Sequence, residues 1–118
     1  FANESEIKSL YESSSLETAI SKVKGRCKIV VITCGENGSI ILTKEEEIHV
    51  NPIKLGKVID TTGAGDLYAS GFLHGYLNNK DLASCGYIGS ICAGKIITQL
   101  GSRCEESLYD IVIKNIKN

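Results

Sequence analysis

The run from Val58 to Leu73 contains residue types that could handle a phosphoryl group. Gly63, Ala64 and Gly65 carry little or no side chain, so their backbone N–H groups can converge on an anion. The helix that is predicted to follow would present the positive end of its dipole to the same ligand. Asp66 needs a separate explanation, because a carboxylate among anion-binding groups competes with phosphate. Its chemistry suits the acceptance of a proton.

Two further polar segments could belong to the same site. A second glycine-rich turn, T-C-G-E-N-G at residues 33–38, follows a strongly apolar run. An amide and a carboxylate, Asn3 and Glu6, are spaced three residues apart near the start of the chain. Each of these two segments is weak alone, since G-x-x-G turns are common and an N-x-x-E spacing is short. They gain meaning only in combination with the glycine turn before Asp66.

The strands that must position these groups are those of an α/β domain. Residues 27–33 form a nearly continuous apolar, β-branched run, which predicts a strand buried on both faces of a largely parallel sheet. Residues 39–43 and 47–50 predict two shorter strands that form a hairpin near the sheet edge. Val58 and Ile59 predict a brief strand that leads directly into the glycine turn.

Helical periodicity fills the remaining segments. Two short helices are predicted before the first buried strand, and the serines at 13–15 can cap the second of them. A helix that begins at Asp66 should end at Asn78 and Asn79, and Asp81 should cap a longer helix that continues to about residue 100. A final amphipathic helix is predicted at about residues 107–117.

Small residues recur on two of these helices at a spacing of four. Gly71 and Gly75 lie on the helix that begins at Asp66, and Gly86, Ser90 and Gly94 lie on the next one. Rows of small side chains let two helix backbones approach closely. We therefore expect these two helices to pack tightly side by side.

Composition narrows the class of protein. The 118 residues suffice for one domain, with 42% hydrophobic residues and a formal net charge of −1. A balanced charge gives no support for nucleic-acid binding, and the short apolar runs, without a basic-then-apolar leader, predict no membrane span. The cysteines are odd in number and contain no C-x-x-C pair, which argues against zinc and against a disulfide framework. We expect a cytoplasmic protein with free thiols at Cys27, Cys34, Cys85, Cys92 and Cys104.

The polar segments together make the chain resemble the C-terminal part of a ribokinase-like (PfkB-type) carbohydrate kinase. Residues 60–66 match D-T-x-G-A-G-D, which is highly specific, residues 33–38 match T-x-G-x-x-G, and residues 3–6 match N-x-x-E. The matches occur in the family's order, and the likeness extends over essentially all 118 residues. It is strongest to bacterial members that are labelled adenosine kinases or sugar kinases. The resemblance implies a three-layer α/β/α fold with a largely parallel sheet.

The resemblance also implies an activity, the ATP-dependent transfer of the γ-phosphate to a hydroxyl of a sugar or nucleoside. Asp66 would be the general base that takes the proton of the attacking hydroxyl. The N–H groups of Gly63, Ala64 and Gly65 would form an anion hole for the transferred phosphoryl. Positioning and electrostatics dominate such a reaction, with little covalent chemistry for the protein to perform.

The nucleotide-binding positions of the family can also be assigned to residues of this chain. The resemblance implies that Thr33, Gly35 and Gly38 line the triphosphate and ribose of ATP. It places Ser90 and Ala93, on the predicted long helix, beside the adenine ring.

Metal-binding positions follow from the resemblance too. Asn3 and Glu6 would help to hold Mg²⁺, Glu6 through a water molecule, since Mg²⁺ prefers oxygen ligands and keeps several waters. Relatives often bind a monovalent cation such as K⁺ beside the glycine turn. Asp60 and the backbone of residues 101–103 match that place.

Simpler roles exist for each of these residues. Asp66 could merely interact with the helix dipole, Asp60 could be only a turn residue, and Asn3 and Glu6 could be no more than a helix end. The chain also lacks the family's N-terminal portion, which carries part of the sheet, the lid strands and most substrate contacts. We expect a fragment completed by that portion or by a second chain, with a homo-oligomer also open. The alternative is a non-catalytic nucleotide-binding or pairing remnant.

Overall fold

The structure, a computed structural model, describes residues 1–54 and 63–96. The predicted strand at Val58, the predicted helix end near residue 100 and the predicted helix at residues 107–117 lie outside these residues. A 3-10 turn, Gly35–Asn37, precedes β3. The elements are β1 (Ala2–Asn3), α1 (Glu4–Leu10), α2 (Leu16–Val23), β2 (Val30–Thr33), β3 (Ser39–Leu42), β4 (Glu47–Val50), α3 (Ala64–Leu77) and α4 (Leu82–Ile96).

Local sequence determines where the helices begin and end. Ser15 caps α2 through its side chain, as the serine cluster predicts. Asn78 ends α3, and Asn79 adopts the left-handed conformation with φ of 62°. The side chain of Asp81 accepts a hydrogen bond from the backbone N–H of Ser84 at 2.7 Å, which caps α4. The hydrogen bonds from Ser84 lower the pKa of Asp81 below its ordinary value. These predicted helix ends are confirmed.

The described sheet is mixed, with the order β1-β2-β3-β4. Only β1 and β2 pair in parallel, while β2–β3 and β3–β4 are antiparallel. The expectation of a largely parallel sheet therefore does not hold over the described residues. The reason is local, because the short connections on either side of β3 can join only antiparallel neighbours.

Helices cover both faces of this sheet, which confirms the three-layer α/β arrangement. Side chains alternate along each strand, so neighbouring residues of β2 and β3 enter different cores. One core contains Ile7, Ala19, Ile20, Val23, Val30, Ile32, Ile40 and Leu42, from α1, α2 and the sheet. The other contains Val31, Ile41, Tyr68, Phe72 and Cys85, from α3, α4 and the sheet. Both cores hold strands β2 and β3 in place and so position the turn between them.

The predicted close packing of α3 and α4 is present, but through a different row of α4. A Cβ atom on Gly71 would lie 3.0 Å from the carbonyl oxygen of Ile88 and 3.1 Å from the Cα atom of Gly89. Gly86, in the row that we expected to meet α3, instead faces Ile41 of the sheet. The helix α4 contacts both the sheet and α3. The row that contains Gly86 faces the sheet, and the row that contains Gly89 faces α3.

Gly71→Ala should destabilise the protein by about 1–3 kcal/mol, because the added methyl group overpacks a close helix contact. The Cβ atom would also lie 2.9 Å from Sγ of Cys92. Urea unfolding measures the change. Ser70→Ala is the matched control on the exposed side of α3. It should be neutral or slightly stabilising, because alanine favours helix and the Ser70 hydroxyl bonds back to the carbonyl of Asp66. Equal losses in both variants would contradict the packing argument.

Candidate active site

Two of the three polar segments meet at one end of the sheet. Asn3, the last residue of β1, pairs with Thr33, the last residue of β2. Thr33 in turn pairs with Ser39, the first residue of β3, which pairs with Val50 at the end of β4. Ligands of open α/β sheets bind beyond the carboxyl ends of the parallel strands. The register therefore puts the N-x-x-E and T-x-G-x-x-G segments side by side where such a ligand would lie.

The turn at residues 33–38 is closed by its own backbone. The N–H of Cys34 donates to the carbonyl of Gly38 at 2.8 Å, and the N–H of Gly38 donates to the carbonyl of Gly35 at 3.1 Å. Gly38 has φ of 87° and ψ of −138°, a conformation available essentially only to glycine. A Cβ atom there would collide with the carbonyl oxygen of Val50. The turn is thus pressed against the end of β4.

The glycine turn before α3 is more open. Gly63 occupies the N-cap position in the left-handed conformation, with φ of 80°, and no side chain of the described residues caps the helix. A Cβ atom on Gly65 would meet no atom within 4 Å. Asp66 is exposed in the first turn of α3. Uncapped N–H groups at a helix N-terminus are suited to an anion, and the carboxylate of Asp66 is accessible beside them.

A buried hydrogen bond connects this helix to the edge of the sheet. The hydroxyls of Tyr68, in α3, and Ser39, in β3, are 2.6 Å apart. Sequence reasoning missed both residues. Tyr68 follows Asp66 by two positions and Ser39 directly follows Gly38, but only the tertiary structure brings them together.

Cys34 is the second residue of the turn at 33–38 and lies near Glu4. Burial raises the pKa of its thiol, and the nearby carboxylate of Glu4 raises it further. Burial also raises the pKa of Tyr68, partly offset by the hydrogen bond to Ser39, and the thiols of Cys85 and Cys34 raise it further. The Cys34 thiol therefore stays protonated at neutral pH, which makes it a packing group rather than a nucleophile.

Asn3 and Glu6 form a capping box on α1. The N–H of Asn3 donates to Oε1 of Glu6 and the N–H of Glu6 donates to Oδ1 of Asn3, both at 2.8 Å. The simpler role of this pair, as a helix end, is therefore real. Both residues are exposed, and Oε2 of Glu6 has no hydrogen-bond partner among the described residues. An exposed carboxylate oxygen fits a water-mediated contact to Mg²⁺, while residues 1–54 and 63–96 contain no cluster of three or more His, Cys, Asp or Glu side chains for a metal.

The predicted adenine residues lie in the second half of α4. Ser90 is only 6% exposed, so little of its side chain is open to a ligand. Ala93 is half-buried and packs on the core that contains Val31 and Ile41. Asp60, the predicted cation position, lies outside the described residues. The structure thus brings Asn3, Glu6, Thr33, Gly35, Gly38, Gly63, Ala64, Gly65 and Asp66 to one end of the sheet or onto the elements attached there.

Solved structures define the class of fold. A probable sugar kinase from Rhizobium etli superposes with a TM-score of 0.94 at 43% identity, over 98% of this chain and 35% of that one. The adenosine kinase from Sinorhizobium meliloti gives a TM-score of 0.94 at 38% identity, with the same 98% and 35% coverage. The nucleoside kinase from Methanocaldococcus jannaschii, described as an archaeal member of the ribokinase family, gives a TM-score of 0.75 at 31% identity, over 95% and 38%. The fold is ribokinase-like.

The chain belongs to the pfkB family of carbohydrate kinases, whose family model matches residues 1–107. In sequence it is 37% identical to a nucleoside kinase from Methanocaldococcus jannaschii over 105 residues, which is 89% of this chain. That alignment covers 35% of the relative. The chain therefore spans little more than a third of the length of the kinases that it matches. No helix among residues 1–54 and 63–96 is long and apolar enough to cross a membrane.

Proposed function

We propose that the intact protein containing this chain transfers the γ-phosphate of ATP to a hydroxyl of a sugar or a nucleoside. Family membership supports this reaction class. The observation that carries the proposal is that two polar segments meet at one end of the sheet, and that the helix of the third is bonded to the same end. Asn3 pairs with Thr33, and Tyr68 on α3 bonds to Ser39, which directly follows the glycine-rich turn at residues 33–38. In this proposal the backbone donors, the two glycine turns and the carboxylate of Asp66 serve one site.

Asp66 is the general base in this proposal. It is exposed in the first turn of α3, where an incoming hydroxyl can reach it. The carboxylate takes the proton as the hydroxyl oxygen attacks the γ-phosphorus, and ADP leaves. The uncapped N–H groups of Gly63, Ala64 and Gly65 stabilise the negative charge of the transferred phosphoryl. Their value lies in being oriented by the helix before the substrate arrives.

The second glycine turn holds the nucleotide. The backbone of Thr33, Gly35 and Gly38 lines the triphosphate and ribose, and its own hydrogen bonds keep the turn closed. Ser90 and Ala93 lie on the helix that returns towards the start of α3 and border the adenine. Ser90 is only 6% exposed, so only a small part of its surface is open for a contact with the adenine.

Asn3 and Glu6 fit a role around Mg²⁺, which would neutralise the charge of the ATP phosphates. Their capping box orients Glu6 towards the same edge as Thr33. Asp60 is the proposed neighbour of a monovalent cation such as K⁺.

Residues 1–118 form the nucleotide-binding and catalytic part of the enzyme in this proposal. The remainder of a full-length relative supplies the pocket that selects the substrate. Relatives named as nucleoside, adenosine or sugar kinases support this substrate class. We infer a cytoplasmic protein, supported by free thiols at Cys27, Cys34, Cys85 and Cys92.

A kinase screen tests the proposal directly. The full-length protein is incubated with Mg-ATP and a panel of nucleosides and sugars, and ADP formation and phosphorylated product are measured together. We expect one group of alcohol substrates to give stoichiometric ADP and product. Tight ATP binding without transfer to any panel member would favour the alternative, a non-catalytic nucleotide-binding remnant.

Glu6→Gln tests the metal role separately from the capping role. Glutamine can preserve the capping box, so Tm should stay unchanged. Loss of the charge should raise the Mg²⁺ concentration needed for half-maximal rate by about tenfold. Glu17→Gln, in the first turn of α2, is the matched control and should leave both quantities unchanged. If Glu6→Gln keeps the ordinary Mg²⁺ dependence, Glu6 serves only as a cap.

A further inference from the structure

The hydrogen bond between Tyr68 and Ser39 is almost completely shielded from water. Tyr68 is 4% exposed and Ser39 is 2% exposed, and their hydroxyl oxygens are 2.6 Å apart. Neither hydroxyl can turn to solvent if its partner is lost. Buried polar groups in this situation are strongly held in one geometry, since leaving either unpaired is costly.

This bond joins parts of the chain that are distant in sequence. Leaving aside Cys92 and Lys95, the other side-chain hydrogen bonds described for residues 1–54 and 63–96 connect positions no more than five apart, as in the bond from Cys85 to Lys80. The bond between Ser39 and Tyr68 spans 29 positions. It therefore links α3 to the end of the sheet directly, whereas the other described side-chain bonds stay within one turn, helix or strand.

Its two ends lie beside the two glycine-rich turns. Ser39 directly follows Gly38 and pairs with Thr33, so its position is tied to the turn at residues 33–38, the proposed nucleotide turn. Tyr68 lies one helical turn after Ala64 and two residues after Asp66, so its position is tied to the start of α3 at residues 63–66, the proposed anion-binding turn. The bond consequently links the two elements that carry these turns.

The packing of the tyrosine ring prevents other arrangements. A Cβ atom on Gly89 would lie 3.2 Å from ring atoms Cδ1 and Cδ2, so the ring rests on bare backbone of α4. On another side it stacks with Phe72, with ring centroids 6.3 Å apart. The ring is confined by α4 and α3, and its hydroxyl is directed at Ser39.

We propose that Tyr68 and Ser39 are positioning residues for phosphoryl transfer, which hold the base and anion hole of α3 at the correct distance from the nucleotide turn. The inference rests on the proposed function. The two residues touch neither the phosphate nor the acceptor, and act through Asp66 and Gly38. Because a displacement of about 1 Å can cost about a hundredfold in rate, a connector of this kind affects the chemical step more than nucleotide binding.

The test combines Tyr68→Phe with the double variant Tyr68→Phe/Ser39→Ala in the full-length protein. Tyr68→Phe should lower kcat about tenfold, with KM for ATP changed less than about twofold. It should also lower Tm, because the Ser39 hydroxyl loses its partner. The double variant removes both hydroxyls, so Tm should recover towards that of the unmodified protein while kcat stays low. A purely structural bond would restore kcat together with Tm, and that result would overturn the inference.

Gly71→Ala controls for lost stability. It weakens the packing between α3 and α4 without touching the bond, so at a temperature well below its Tm it should keep the unmodified kcat. A kcat loss in Gly71→Ala equal to that in Tyr68→Phe would also overturn the inference. The two hypotheses fail differently. An unmodified protein that transfers no phosphate to any acceptor contradicts the proposed function and the inference with it, whereas active unmodified and double-variant proteins with equal kcat contradict only the inference.

Discussion

Asp66→Asn is expected to reduce kcat by roughly a hundredfold to ten-thousandfold, the usual contribution of a positioned general base. Asparagine is nearly isosteric with aspartate but cannot take the proton of the acceptor hydroxyl. ATP should bind almost as in the unmodified protein, because the N–H groups of the turn remain in place. Steady-state rates with the acceptor identified by the screen, together with calorimetric ATP titration, measure both quantities.

Asp81→Asn is a matched control for this variant. Asp81 is also an exposed aspartate at the start of a helix, and it accepts a hydrogen bond from the N–H of Ser84 at 2.7 Å. Asparagine is an equally good N-cap residue, so the helix should persist and kcat should not change. A full rate in Asp66→Asn would leave Asp66 with only an interaction with the helix dipole. A joint loss of rate and ATP binding would instead indicate that the turn itself had been disturbed.

Gly38→Ala is expected to lower the free energy of unfolding by about 3–5 kcal/mol and to abolish measurable ATP binding. The residue has φ of 87°, and a Cβ atom would collide with the carbonyl oxygen of Val50 and lie 3.1 Å from the backbone N of Pro52. Both obstacles are main-chain atoms, so no side-chain rotation can relieve the overlap. Urea denaturation and ATP titration of the full-length protein check the two effects.

Gly35→Ala is the control within the same turn. Gly35 also has a positive φ, of 56°, but a Cβ atom there would meet no atom within 4 Å. Its cost should be limited to about 1–2 kcal/mol for the left-handed conformation. Similar losses of stability in the two variants would show that conformation alone, and not the contact with Val50, makes Gly38 necessary.

Much of the local structure could be predicted from the sequence because its causes lie within a few residues. The apolar run before Thr33 predicts a buried strand, and the caps at Ser15 and Asp81 and the stop at Asn78 mark helix boundaries. The glycine turn before Asp66 indicated an anion site, and its order with the other two segments indicated the family that the comparison then confirmed. Periodicity and capping are short-range effects, so a linear sequence displays them directly.

The strand directions in the sheet and the contacts between helices were harder to predict from the sequence. The antiparallel pairing of β3 and β4 was predicted as a hairpin, but that of β2 and β3 was not, because the periodicity of an apolar run does not report strand direction. Likewise, the sequence displays two rows of small residues on α4, one with Gly86 and one with Gly89, without saying which neighbour each row meets. That choice depends on the placement of the sheet and α3 together.

The residues of the candidate site could thus be recognised in the sequence, but the contacts that bring them together could not. Asn3, Thr33 and Asp66 could be singled out by type and spacing. Two contacts exist only in the folded chain: the strand pairing of Asn3 with Thr33 and the buried hydrogen bond between Tyr68 and Ser39. Long-range contacts of this kind form between residues whose sequence neighbours give no indication of them. Their geometry comes from the core that packs α3 and α4 against the sheet, which is a property of the whole packed structure.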